Sequence, residues 1–165
     1  MIRTARLLLR PAVWDDLDAF HAILSNDRAM RYWSTLPHGT LEQSRDWLQC
    51  MMEVSPTEGE DWVIDLDGQA IGKAGLWRFP EIGFILHPDH WGRGYAREAL
   101  EAVIARAFAV HRLPSLFADV DPRNAASLRL LTGLGFVETG RAHRTQRRGD
   151  EWCDSLYLEI FAPAG

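Results

Sequence analysis

His90-Trp91-Gly92-Arg93-Gly94-Tyr95-Ala96-Arg97-Glu98-Ala99-Leu100 is the stretch that decides how this chain is read. Two glycines separate an apolar run ending at Leu86 from a stripe of Leu100, Val103, Ile104, Ala107 and Phe108 at helical spacing. The first N–H groups of a helix have no intrahelical partner, and the helix dipole adds positive potential where they emerge. Small residues there let several donors converge on one point, which makes a site for a phosphate or pyrophosphate oxyanion. The same pattern also serves as a plain tight turn. A dinucleotide fingerprint needs a third glycine where Arg97 stands, and a Walker A loop needs a terminal Gly-Lys-Ser/Thr that is absent. An anion held here would be held by backbone.

Working outward, Glu81-Ile82-Gly83-Phe84-Ile85-Leu86-His87 reads as the strand before the turn, closed by Pro88-Asp89. Before it, residues 62–66 and 69–79 flank Asp67-Gly68, a two-residue hairpin signal. Residues 6–10 predict a first strand. A first helix runs from Asp15-Asp16 to about residue 25, with Leu17, Phe20, Ile23 and Leu24 on one face. A second begins at the Thr40-Leu41-Glu42-Gln43 cap and ends near Met52. After the helix of 96–110, residues 116–120 predict a strand, Asn124 caps a helix to Leu131, and residues 136–139 and 155–161 are the last strands. The order suggests a mixed α/β sheet in one domain, residues 1–165.

Composition narrows the class. Of the 165 residues, 47% are hydrophobic and 25% charged, with a net charge of −5, which argues against a nucleic-acid partner. Lys73 is the single lysine; the other 17 of the 18 basic residues are arginines. No apolar run approaches the ~20 residues needed to cross a bilayer, so no membrane partner is expected. Cys50 and Cys153 lie far apart in sequence, and a reducing cytoplasm is the simpler setting. His87 and His90 frame Pro88-Asp89, but no Cys/His cluster completes a metal set, so no metal is expected.

The strand from Glu81, the turn Trp91-Gly92-Arg93-Gly94-Tyr95-Ala96 and the helix from Arg97 resemble motif A of the GNAT superfamily of N-acetyltransferases. Asp121-Pro122-Arg123-Asn124-Ala125-Ala126-Ser127, running on to Gly133-Leu134-Gly135-Phe136, resembles its motif B. Thr4 to Pro11 and Glu151-Trp152-Cys153-Asp154 are similar to the RimJ/RimL-type subgroup, the ribosomal-protein N-terminal acetyltransferases and their relatives. The resemblance implies a GNAT fold: a mixed, mostly antiparallel sheet of about seven strands, helices on both faces and a splayed central parallel pair. It implies acetyl-CoA as cosubstrate, an amine acceptor (a peptide N-terminus or a small molecule), and a homodimer for which the sequence shows no interface.

Residue by residue, the resemblance puts Phe84, Ile85, Leu86 and His87 along the pantetheine arm. It puts the backbone of Gly92, Arg93, Gly94, Tyr95 and Ala96 at the pyrophosphate. Trp91 stands where Gln or Arg is usual. Attack on a thioester needs an unprotonated amine, and Glu81 is the candidate base. A main-chain N–H near Ile85 is the expected oxyanion donor. The usual motif B Tyr is replaced by Leu131, leaving Ser127 to donate to the departing sulfur and Asn124 to hydrogen-bond the pantetheine or its strand, both of which also fit a plain helix cap. Tyr32 and Trp33 fall where an acceptor pocket forms. The missing Tyr keeps open an alternative, a non-catalytic acyl-CoA-binding sensor or interaction module.

Overall fold

Asp67 and Gly68 both adopt positive φ, 52° and 87°, so the expected two-residue turn forms and joins strand β3 (Glu60–Leu66) to β4 (Gln69–Arg78). The computed structural model describes residues 1–165. Strand β5 (Glu81–Leu86) returns antiparallel on β4. On the far edge of β3 lie β2 (Leu8–Arg10) and the two-residue β1 (Ile2–Arg3). With β6 (Ser115–Val120), β7 (Val137–Arg148) and β8 (Glu151–Phe161) the sheet has eight strands, one more than expected, in the order β1-β2-β3-β4-β5-β6-β8-β7. Only β5 and β6 run parallel. This is the expected GNAT-type architecture.

The final hairpin is longer than the expected strands at 136–139 and 155–161. β7 is an edge strand whose Arg, His and Glu side chains face water, so its period-two pattern is not a hydrophobic one. Gly149, at φ 61°, makes the turn that lets residues 137–148 pair back on 151–161.

Helices cover both faces. Helix α3 (Tyr95–Ala109) and α4 (Ala125–Gly133) set Ala99, Leu100, Val103 and Leu131 against Ile64, Leu76, Ile82, Leu86 and Leu116. On the opposite face, α1 (Leu17–Leu24) and α2 (Leu41–Met52) pack Phe20, Ile23, Leu24 and Leu48 over Val63 and Ile85. A short 3-10 turn, Trp14–Asp16, leads into α1. Thr40 caps α2 as expected: Gln43 N–H donates to the Thr40 hydroxyl at 3.3 Å, and Thr40 N–H donates back to the Gln43 side chain at 3.1 Å.

Gly72 faces Leu86 across the β4–β5 pair, and a Cβ there would collide with the Ile85 carbonyl. Gly72→Ala is therefore expected to lower stability by about 1–3 kcal/mol, the usual cost of overpacking. Urea unfolding followed by tryptophan fluorescence checks this; an unchanged midpoint would show that the strands yield at no cost.

Candidate active site

The two parallel strands begin paired and then part. Phe117 N–H donates to the Pro80 carbonyl at 3.0 Å, and Glu81–Phe117 is their one paired position. On its other edge β5 stays bonded to β4, with His87 N–H donating to Ile71 O at 2.9 Å. Strand alternation follows from these two bonds. The main-chain groups of Gly83, Ile85 and His87 point at β4, while those of Phe84 and Leu86 point into the gap left by β6. The Ile85 amide itself is already used by the sheet. Phe84 and Leu86 are the donors that face the opening.

A cavity of about 530 Å³ lies in that gap, lined by Phe84, Ile85, Leu86, Gly92, Gly94, Tyr95, Ala96, Asn124 and Ser127 among others. Of the eleven residues expected at the cofactor, nine meet here. Gly92 and Gly94 take φ of 72° and 79°, a conformation that an L side chain rarely adopts, so the turn needs glycine. Gly94 is also the N-cap of α3, whose first N–H groups open onto the cavity. Nothing lies within 4 Å of a Cβ built on Gly92. Open space, free helix-start donors, the Phe84 main chain and the Leu86 amide together suit an extended chain ending in a pyrophosphate.

His87 and Arg93 do not line this cavity. His87 gives its N–H to β4, and its ring Nδ1 accepts from Asp89 N–H at 3.2 Å. The Arg93 carbonyl accepts from Arg6 Nη1 at 2.9 Å. Arg6 is a residue whose role only the fold reveals. It also donates through Nε to Glu98 Oε2 at 2.7 Å, and Thr4 donates to Glu98 Oε1 at 2.6 Å. Burial pushes the Glu98 carboxyl up, but the hydrogen bonds from Thr4 and Arg6 outweigh it and hold the group below its ordinary range. The Thr4-Ala5-Arg6 segment thereby ties the glycine turn to the first turn of α3.

Trp91, the departure from the usual pattern, donates its indole N–H to the Leu86 carbonyl at 3.0 Å. It braces the end of β5 and carries Arg28 over its ring at 5.2 Å. Arg28 and Arg31, between α1 and α2, add cations to the cavity wall. In motif B, Asn124 does cap α4, its Oδ1 accepting from Ser127 N–H at 3.2 Å. That cap engages the Ser127 amide and leaves the hydroxyl free of it, and both residues line the cavity. Leu131 is 1% exposed and belongs to the core, so no acid can act from that position.

A second cavity, of about 440 Å³, opens on the other face of β5. Tyr32 and Trp33 line both cavities. The floor is the sheet. In-register positions put Asp61 opposite Gly75, Gly75 opposite Gly83, and Lys73 opposite Ile85, with Glu81 and Asp119 on the same face. The paired glycines keep the floor low, and Lys73 lies across it to meet Asp61 at 2.8 Å, each side chain 4% exposed. Five carboxylates (Asp61, Glu81, Asp119, Asp121 and Asp154) face two cations, Lys73 and Arg148. Burial first, and then the charge of Asp119, push the Glu81 carboxyl above its ordinary range; Arg78, Trp77 and Lys73 oppose this. Beside the cavity, Arg148 Nη2 donates to the Met30 carbonyl at 3.0 Å and Leu36 lies over Gly149, tying the final hairpin to the segment between α1 and α2.

The comparisons agree with this geometry. A family model described as an acetyltransferase (GNAT) domain matches residues 6–137. An uncharacterized N-acetyltransferase of Bacillus subtilis, YoaA, is 31% identical over 172 residues, covering 99% of this chain and 97% of its own. The spermidine N(1)-acetyltransferase of Escherichia coli is 28% identical over 162 residues, covering 93% of this chain and 84% of its own. A crystal structure of a GNAT-family acetyltransferase from Bacillus anthracis superposes with a TM-score of 0.85 at 26% identity, covering 97% of each chain. The chain belongs to the GNAT acetyltransferase family and is an acetyl-CoA-dependent N-acetyltransferase.

Gly94→Asp places a negative side chain at the anion site on a backbone that resists it. Acetyl-CoA affinity, measured by calorimetry, is expected to fall at least about tenfold, the effect of losing one well-placed charge interaction. Unchanged affinity in a folded variant would remove the turn from the cofactor site.

Proposed function

We propose that this GNAT acetyltransferase acetylates a small alkylamine carrying more than one amino group, and that Glu81 is its general base. The observation that carries the reading is the shared wall of Tyr32 and Trp33. It sets an acidic cavity against the cofactor cavity at the point where β5 and β6 part. The excess of carboxylates favours a cationic acceptor, and Trp33, Trp47 and Trp77 offer apolar and π surface to its alkyl chain. The spermidine acetyltransferase among the relatives has an acceptor of this chemical class. The RimJ/RimL-like motifs then mark a shared scaffold, with a different acceptor.

Acetyl-CoA supplies the activated acyl group as a thioester. Glu81 takes a proton from the acceptor ammonium, and its raised pKa suits a base that works near neutral pH. The N–H groups of Phe84 and Leu86 face the opening and stabilise charge that develops on the thioester oxygen. The Ser127 hydroxyl donates to the sulfur as it leaves, in place of the missing Tyr. Ile85, Tyr32 and Trp33 line the passage and limit water.

Ser127→Ala is expected to lower kcat by about tenfold or more, in the range of a single proton donor, with little change in acetyl-CoA affinity. Equal kcat would leave Ser127 as a capping residue alone. A panel of acceptors in a steady-state assay tests the substrate class. Polyamines are expected to exceed N-terminal peptides in kcat/KM by at least about tenfold, one well-placed ionic contact. A preference for peptides would overturn the reading, and acetyl-CoA binding without turnover on any amine would favour a sensor.

A further inference from the structure

Asp119 lies on β6, two residues beyond the Phe117 that pairs with Glu81, and on the same face of the sheet. Both carboxylates line the acceptor cavity and both are half-buried. Neither is matched as its neighbours are. Asp61 has Lys73 at 2.8 Å, and Asp121 has Arg123 at 2.8 Å. Asp119 accepts only a neutral hydrogen bond, from Gln146 Nε2 on β7 at 3.1 Å. Glu81 makes no ion pair. Two uncompensated carboxylates therefore face one cavity where the parallel strands begin to part.

We propose that Asp119 is a second acceptor-binding carboxylate, which with Glu81 brackets the substrate ammonium. The inference rests on Glu81 being the base. Two uncompensated carboxylates facing one cavity favour a shared cation, and an alkylammonium between them satisfies both. When the ammonium gives its proton to Glu81, Asp119 stays ionised, and its charge favours the protonated Glu81. Gln146 fixes the Asp119 carboxylate without neutralising it, which an arginine or lysine there would do. The other charges that face Glu81 are Arg78 at the end of β4, Lys73 within β4, Asp61 from β3 and Asp121 just after β6. Arg148, Cys153 and Asp154 face the cavity from the final hairpin, Cys50 from α2 and Tyr32 from the segment between α1 and α2. Of the carboxylates lining this cavity besides Glu81, Asp119 alone has no basic partner.

The pH profile of kcat/KM for a diamine acceptor, with acetyl-CoA saturating, separates this role from a structural one. Asp119→Asn keeps an oxygen for Gln146 and loses the charge. Its acidic limb is expected to move to lower pH, because removing a negative neighbour lowers the Glu81 pKa. KM for the amine is expected to rise about tenfold, with acetyl-CoA affinity unchanged. Gln146→Glu adds a carboxylate beside the pair, and its limb is expected to move the opposite way, to higher pH. Glu81→Gln is expected to lose the limb. If both Asp119→Asn and Gln146→Glu leave limb and KM where they were while Glu81→Gln loses the limb, Asp119 has no such role. If Glu81→Gln keeps full activity and the same profile, the parent reading of Glu81 fails instead.

Discussion

The site exists because β5 is bonded on one edge and open on the other. A sheet strand ordinarily satisfies its main chain on both sides, and a buried unpaired amide is costly. Here β6 holds β5 at Glu81–Phe117 and then diverges. The groups at Phe84 and Leu86 are left facing a gap that an extended ligand can fill as another strand would. Everything else maintains that gap. β4 holds the opposite edge of β5 through the His87–Ile71 bond. Trp91 closes on the Leu86 carbonyl. α3 starts at the mouth of the opening, where Arg6 and Glu98 fix the glycine turn.

The two faces of the same strand do different work. Ile82 and Leu86 point to the larger core beneath α3, and Phe84 packs against it. Glu81, Gly83 and Ile85 point the other way. On that second face the sheet is only partly covered by α1 and α2, and the uncovered floor carries Asp61, Lys73, Glu81 and Asp119. A buried Lys–Asp pair such as Lys73–Asp61 adds little net stability in general. Its evident effect here is to leave Glu81 and Asp119 as the unmatched charges of the cavity. Alternation along one strand thus separates a structural core from a charged cavity.

Much of the fold was legible in the sequence because local signals agreed with the global arrangement. The Asp67-Gly68 turn, the Thr40 capping box and the apolar stripe of α3 each form as read. The final hairpin was not, since Glu138, Arg141, Arg144 and Arg147 hide the alternation of an edge strand. For the site, the glycine turn and the resemblance in two motifs brought together nine of the eleven expected cofactor residues. His87 and Arg93 fell outside because their groups are used within the protein. Arg6, Arg28 and Asp119 escaped notice for another reason. Each is an ordinary charged residue in its own segment, and only the topology brings it to the cavity or its turn.

The central claim is that the main chain of β5 serves the sheet at Ile85 and the ligand at Phe84 and Leu86. Residue-resolved amide hydrogen exchange with and without acetyl-CoA tests it most directly. The account predicts an Ile85 amide protected in both states, and Phe84 and Leu86 amides that exchange readily alone and slow on addition of acetyl-CoA. Protection of all three without ligand, or no slowing at Phe84 and Leu86 on binding, would contradict it.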